Sequence, residues 1–223
     1  MTATSPTAAR FGPAAVTRSL LGWGVLAGPF YLVIGIAQAL LREGFDFGRH
    51  PLSLLANGSW GWVQIVNFLA SGLMVVAAAA GFARVLGTRG ASPVLGAFGV
   101  SLMAAGVFVA DPVSGFPPGT PEGPPATMTT SGLLHFLFGA LGFLAWSIAA
   151  MLTGRALSRR GERRMGRYST LSGLVVGAAF FGGVPLSGGS VGIMLIWLSV
   201  VVGWAWLAAT SLHLYRGSPL PDC

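Results

Sequence analysis

An all-α, polytopic membrane protein is what this sequence predicts: a bundle of six transmembrane helices with a short extracytoplasmic interfacial helix. Three observations predict it. Six apolar stretches recur along the chain, approximately Ser19–Leu41, Trp62–Leu86, Val94–Ala110, Gly132–Leu152, Tyr168–Val184 and Val191–Leu212. A hydrocarbon core about 30 Å thick needs about 20 predominantly apolar residues per spanning helix, and each stretch meets or approaches that length. Hydrophobic residues make up 53% of the chain and charged residues only 9%, against roughly 25% charged in a soluble domain, so a water-facing surface cannot be built from it. The charges, finally, lie mostly in the connections between the stretches. A net charge of +7 distributed in this way does not form the basic stripe of a nucleic-acid binder; the partner it implies is the lipid bilayer.

Taken in order, residues 1–18 are rich in Ala, Thr, Ser and Pro and read as a disordered cytoplasmic N-terminus. A single transmembrane domain follows over 19–213, and 214–223 form a cytoplasmic tail. Span 1 contains Ala37-Gln38-Ala39, which resembles a signal-cleavage site, but its apolar run exceeds the 7–15 residues of a signal h-region, so the span is read as retained. Gly24 and Gly28 make a small-xxx-small pair on it, the kind that lets helices approach in lipid. The segment Gly48–Gly58 then predicts a two-turn interfacial helix over Arg49–Asn57, with Pro51 suited to its first position and Asn57-Gly58 to its stop.

On span 2, Trp60, Gln64, Asn67 and Ser71 recur at steps of four, three and four, a polar stripe on one helical face. Span 3 is short and Gly-rich and ends at Asp111. The connection Asp111–Ser131, with six prolines, reads as an irregular loop. Ser131, His135, Gly139, Gly142 and Trp146 share one face of span 4; that face is narrow and predicts close packing that carries His135 inward. The basic run Arg155–Arg167 faces anionic lipid headgroups. Gly173 and Gly177 repeat the small-xxx-small pattern on span 5. Cys223 is the one cysteine, so no intrachain disulfide exists.

The positive-inside rule sets the threading. Arg10, Arg18, Arg84, Arg89, Arg155, Arg159, Arg160, Arg163, Arg164, Arg167 and Arg216 fall on one side, and Arg42 and Arg49 alone on the other. Both termini are therefore expected in the cytoplasm.

Polar groups inside a membrane are costly and rarely face lipid. Arg49, His50, Ser53, Gln64, Asn67, Asp111 and His135 all belong by topology to the outer half. They predict an outer-leaflet polar pocket binding a small anion or a lipid headgroup, in a protein more readily a binder than an enzyme. Within it, Asp111 and His135 are expected to pair, and Arg49 to find Asp46 or Asp111. Two other readings use the same residues. A membrane-embedded hydrolase would take Ser53, His135 and Asp111 as nucleophile, base and orienting acid, or a metal-bound water, although no Gly-x-Ser-x-Gly elbow is present. A small-solute transporter would line a path with Gln38, Gln64, Asn67, Ser71 and Ser101 and break span 1 at Pro29. No cofactor motif occurs, and the His and carboxylate residues lack metal-ligand spacing, so neither metal nor cofactor is expected.

Three stretches carry a family resemblance: Gly44-Phe-Asp-Phe-Gly-Arg-His-Pro-Leu-Ser-Leu-Leu-Ala with Gly61-Trp-Val-Gln-Ile-Val-Asn-Phe, then Ala105-Gly-Val-Phe-Val-Ala-Asp-Pro, then Gly132-Leu-Leu-His-Phe. Together they resemble domain-of-unknown-function family 998. The resemblance implies a six-pass protein of a prokaryotic plasma membrane and brings no assigned activity or catalytic residue.

Overall fold

The computed structural model describes residues 12–87, 90–125 and 127–220. Within them run α1 (Pro13–Leu41), α2 (Gly61–Leu86), α3 (Ala91–Val107), α4 (Thr130–Arg159), α5 (Arg163–Gly183) and α6 (Ser190–Gly217), with 3-10 turns at Leu52–Ala56 and Val184–Leu186. Five of these helices are long and apolar enough to cross a bilayer, and α3 is a shorter apolar helix of 17 residues. The chain is a polytopic helical membrane protein.

Each helix packs antiparallel against the one before it, and α6 closes the ring against α1. Glycines set the approaches, because lipid supplies no hydrophobic drive for helices to associate and close backbone contact must substitute. A Cβ at Gly28 would sit 3.0 Å from the Cβ of Trp204, and one at Gly24 would overlap the Ser211 hydroxyl, so the predicted pair on α1 is what seats α6. A Cβ at Gly173 would lie 2.6 Å from the Ser147 carbonyl oxygen, and one at Gly177 2.8 Å from the Ser147 hydroxyl, which seats α5 on α4. Gly72 and Gly99 face each other between α2 and α3.

A layer of aromatic rings crosses the middle of the ring of helices. Phe98 of α3 stacks on Trp146 of α4 with centroids 4.1 Å apart, Trp146 meets Trp204 of α6 at 5.0 Å, and Trp204 meets Tyr31 of α1 at 5.0 Å. Tyr31 in turn contacts Phe68 of α2 at 5.9 Å. These offset and tilted arrangements are the ones that ring quadrupoles favour.

Several boundaries differ from the sequence reading. The N-terminal segment yields residues 13–18 to α1, which starts on a proline in its first turn, where a missing N–H costs nothing. Arg18 is held there by the far end of α6: its guanidinium donates to the carbonyls of Tyr215 and Ser218 at 3.0 and 3.1 Å and lies over the Tyr215 ring. Helix α6 continues to Gly217, into the expected tail. The interfacial element is a 3-10 turn, and Pro51 precedes it instead of opening it. Residues 1–11, Arg89 and Cys223 lie outside the described residues.

Candidate functional site

The residues singled out by sequence separate into three groups. The first builds a cap from the α1–α2 and α3–α4 loops. Arg42 donates to the carbonyls of Leu55 at 2.9 Å and Asn57 at 2.6 Å while lying over the Phe116 ring; burial lowers its guanidinium pKa. Gly58, at φ +74°, leaves room for this contact, since a Cβ there would come within 2.9 Å of the guanidinium. His50 is buried. Its Nδ1 accepts from the Asp46 backbone N–H at 2.9 Å, which leaves the ring hydrogen on Nε2 to donate to the Ser114 carbonyl at 3.0 Å. Nδ1 thereby fixes His50 within its own loop and Nε2 latches that loop to the other, with Phe116 and Phe45 packed alongside.

Arg49 pairs with Glu122, across the two loops, and not with Asp46 or Asp111. Both side chains are about half exposed or more, and a pair of that kind adds little stability. Asp111 accepts from the Thr129 N–H at 2.9 Å and the Thr129 hydroxyl at 2.6 Å, and that hydroxyl accepts from the Gly132 N–H at 3.0 Å as the N-cap of α4. A Cβ at Gly132 would overlap the Asp111 carboxylate, so only glycine fits there. The expected Asp111–His135 pair is not formed. Helix α3 stops before Phe108, and a helix end leaves carbonyls without intrahelical partners. His135 caps that end with Nδ1, 2.9 Å from the Ala105 oxygen and 2.8 Å from the Phe108 oxygen.

The second group is a buried amide chain on the inner face of α2. Gln64, Asn67 and Ser71 are fully buried, as their periodicity requires, while Trp60 is exposed. Asn67 Nδ2 donates to the Tyr31 carbonyl and to Gln64 Oε1, both at 3.1 Å, and Gln38 Nε2 donates to the same Gln64 oxygen at 2.8 Å. Since Asn67 and Gln38 also donate to carbonyls, Gln64 must present its oxygen to both. This fixes α1 against α2. Gln64 Nε2 and Gln38 Oε1 have no partner among the described residues.

The third group faces a cavity of about 120 Å³ on the loop side of the aromatic layer. Trp146, Trp204 and Phe98 are its deep wall. Ser53 and His135 belong to its loop end, and Phe143, Phe180 and Val200 to its sides. Four of the five residues on the predicted face of α4 line the cavity, His135, Gly139, Gly142 and Trp146, while Ser131 donates to the Val109 carbonyl at 2.9 Å. Gly142 packs tightly, with a Cβ there 3.1 Å from the Ser101 Cβ, whereas a Cβ at Gly139 would meet nothing within 4 Å. Phe136, which is 53% exposed, also lines the cavity, so the cavity reaches the lateral surface of the bundle.

Ser53 and His135 thus share a cavity, but no hydrogen bond joins them among the described residues, and Asp111 is committed to Thr129. Tyr31, Phe68, Phe143, Phe180 and Trp204 were not singled out by the sequence reading. In a chain this apolar an inward aromatic has no contrast with an outward one, and only the helical register linking Gly139 to Trp146 pointed toward them.

Ring-closed packing, a two-loop cap and a lateral aromatic cavity define a polytopic helical membrane protein. The chain matches the model of the family described as "Protein of unknown function (DUF998)" over residues 25–213, and belongs to that family. No curated protein and no solved structure matches it.

Proposed function

We propose that the protein binds, without chemical conversion, the apolar portion of a membrane-dissolved amphiphile, taken in laterally from the outer leaflet of a prokaryotic plasma membrane. The observation that carries this reading is the cavity: aromatic walls, few polar groups, with Ser53 and His135 at the loop end, and a lateral rim at Phe136 and Gly139. Concave, mostly apolar pockets with a few convergent polar groups are the usual form of small-molecule sites. A cavity of about 120 Å³ is near the roughly 150 Å³ apolar cavity that accepts benzene, so it holds one segment of a longer molecule whose remainder stays in lipid.

The orientation follows from the arginines. By sequence, eleven of the 13 fall in or next to the terminal segments and the α2–α3 and α4–α5 connections, and two in the α1–α2 loop, which favours a cytoplasmic position for the former. The loop cap would then face outward, over the cavity. The binding of a free anion, the other half of the sequence expectation, draws less support. Arg42 is occupied by two carbonyls and Arg49 by Glu122, and neither lines the cavity.

Native mass spectrometry of protein extracted with its lipids tests the reading. The wild type should retain a discrete amphiphile adduct that Gly139→Leu, which fills open space, has lost. Identical adducts on both proteins would refute it.

A further inference from the structure

The polar wall of the cavity has a definite hydrogen-bonding sense. The oxygens of Ala105 and Phe108 that approach His135 Nδ1 at 2.9 and 2.8 Å are carbonyls and only accept, so Nδ1 carries the ring hydrogen. Nε2 is left presenting its lone pair, on a residue that lines the cavity, with no hydrogen-bond partner among the described residues. This is a fixed tautomer, because no rotation of the ring frees Nδ1 without uncapping α3. The remaining polar groups on the wall are the hydroxyls of Ser53, Ser101 and Tyr31 and the indole N–H groups of Trp146 and Trp204, that of Trp146 without a partner among the described residues. Among the described residues, no Arg, Asp or Glu side chain lines the cavity.

We propose that the cavity selects an uncharged, hydroxyl-bearing amphiphile, a long-chain or isoprenoid-type alcohol, whose hydroxyl donates to His135 Nε2, and that it discriminates against the phosphorylated form of the same molecule. A hydroxyl supplies the hydrogen that Nε2 lacks and can accept in turn from the Ser53 hydroxyl. A phosphate monoester brings negative charge to a wall without a cation, and charge placed in an apolar site without a counter-ion is strongly unfavourable. An ether of equal length fills the same volume but donates nothing, leaving the acceptor unpaired. Sites built around a polar group reject analogues lacking the matching one for this reason.

This inference rests on the cavity being the amphiphile site, and the experiment separates the two. Protein in nanodiscs is titrated with 1-dodecanol, dodecyl methyl ether and dodecyl phosphate, following the fluorescence of Trp146 and Trp204 in the cavity wall. Wild type is compared with two cavity-filling variants, Gly139→Leu and Val200→Phe, one on each side of the cavity, so that a folding defect in either leaves the other as control. Saturable binding of dodecanol about tenfold tighter than of either analogue, lost in the filled variants, is the expected result. Binding of the ether or the phosphate equal to or tighter than that of dodecanol overturns the headgroup inference; if the filled variants still lose it, the cavity reading stands. Absence of saturable binding by all three, or undiminished binding in the filled variants, overturns both. The headgroup comparison is made on wild-type protein and depends on no substitution.

Discussion

Two glycine-to-alanine substitutions in the cavity region should move stability in opposite directions. At Gly203 on α6, an added Cβ would stand 2.5, 2.6 and 2.8 Å from three carbons of the Trp146 ring. Carbon atoms rest at about 3.5–4.0 Å, so ring and helix must separate by about 1 Å. The ring has nowhere to go, since Phe98 stacks on one face at 4.1 Å and Trp204 stands at 5.0 Å. Overpacking of this kind costs about 1–3 kcal/mol. At Gly139 on α4 the added Cβ meets nothing within 4 Å, and only the helix propensity gain of about 1 kcal/mol remains. That gain is common to both sites, so the difference between the variants isolates the clash, at about 1–3 kcal/mol. Denaturation in mixed micelles followed by circular dichroism measures it, with Gly139→Ala expected above wild type and Gly203→Ala below Gly139→Ala by that margin. Equal stabilities, or a more stable Gly203→Ala, would refute the packing of the aromatic layer described above.

Two further outcomes follow from the loop cap and the amide chain. Thr129→Val keeps the side chain's shape and removes the α4 N-cap together with one hydrogen bond to Asp111, and should cost about 1 kcal/mol in the same denaturation assay. Asn67→Leu removes the donor to Tyr31 and Gln64, but hydrogen bonds between membrane helices average only about 0.6 kcal/mol; the variant should remain folded with a loss near that size, and collapse of the fold would show the chain to be essential.

The sequence made the architecture legible because a span is defined by length and composition alone. It also exposed faces wherever polar or small residues stood out against an apolar background. Gln64, Asn67 and Ser71 are inward for the reason their spacing gave, and the run from His135 to Trp146 on α4 is one wall of the cavity. Partners were another matter. Topology put Asp111 and His135 at one level, but level does not determine contact. Asp111 is captured by Thr129, next to the start of α4, and His135 by carbonyls released where α3 ends. Arg49 finds Glu122, 73 residues along the chain, because the long loop folds back over the short one, which no local pattern encodes. The cavity itself was illegible for a related reason: it is walled by Phe and Trp from five helices, residues that the composition of any span already contains.

Residue-level photocrosslinking with a dodecanol probe bearing a diazirine on the carbons next to its hydroxyl addresses the cavity most directly, because α4 presents both environments. Leu133, Leu137 and Leu141 are exposed on its lateral surface, while Gly139, Gly142 and Trp146 line the cavity. A binding site for the apolar part of an amphiphile predicts label on the cavity face of α4 and on Val200 or Trp204 of α6, saturable by unlabelled dodecanol. Label confined to the three leucines, rising linearly with probe, would contradict the account.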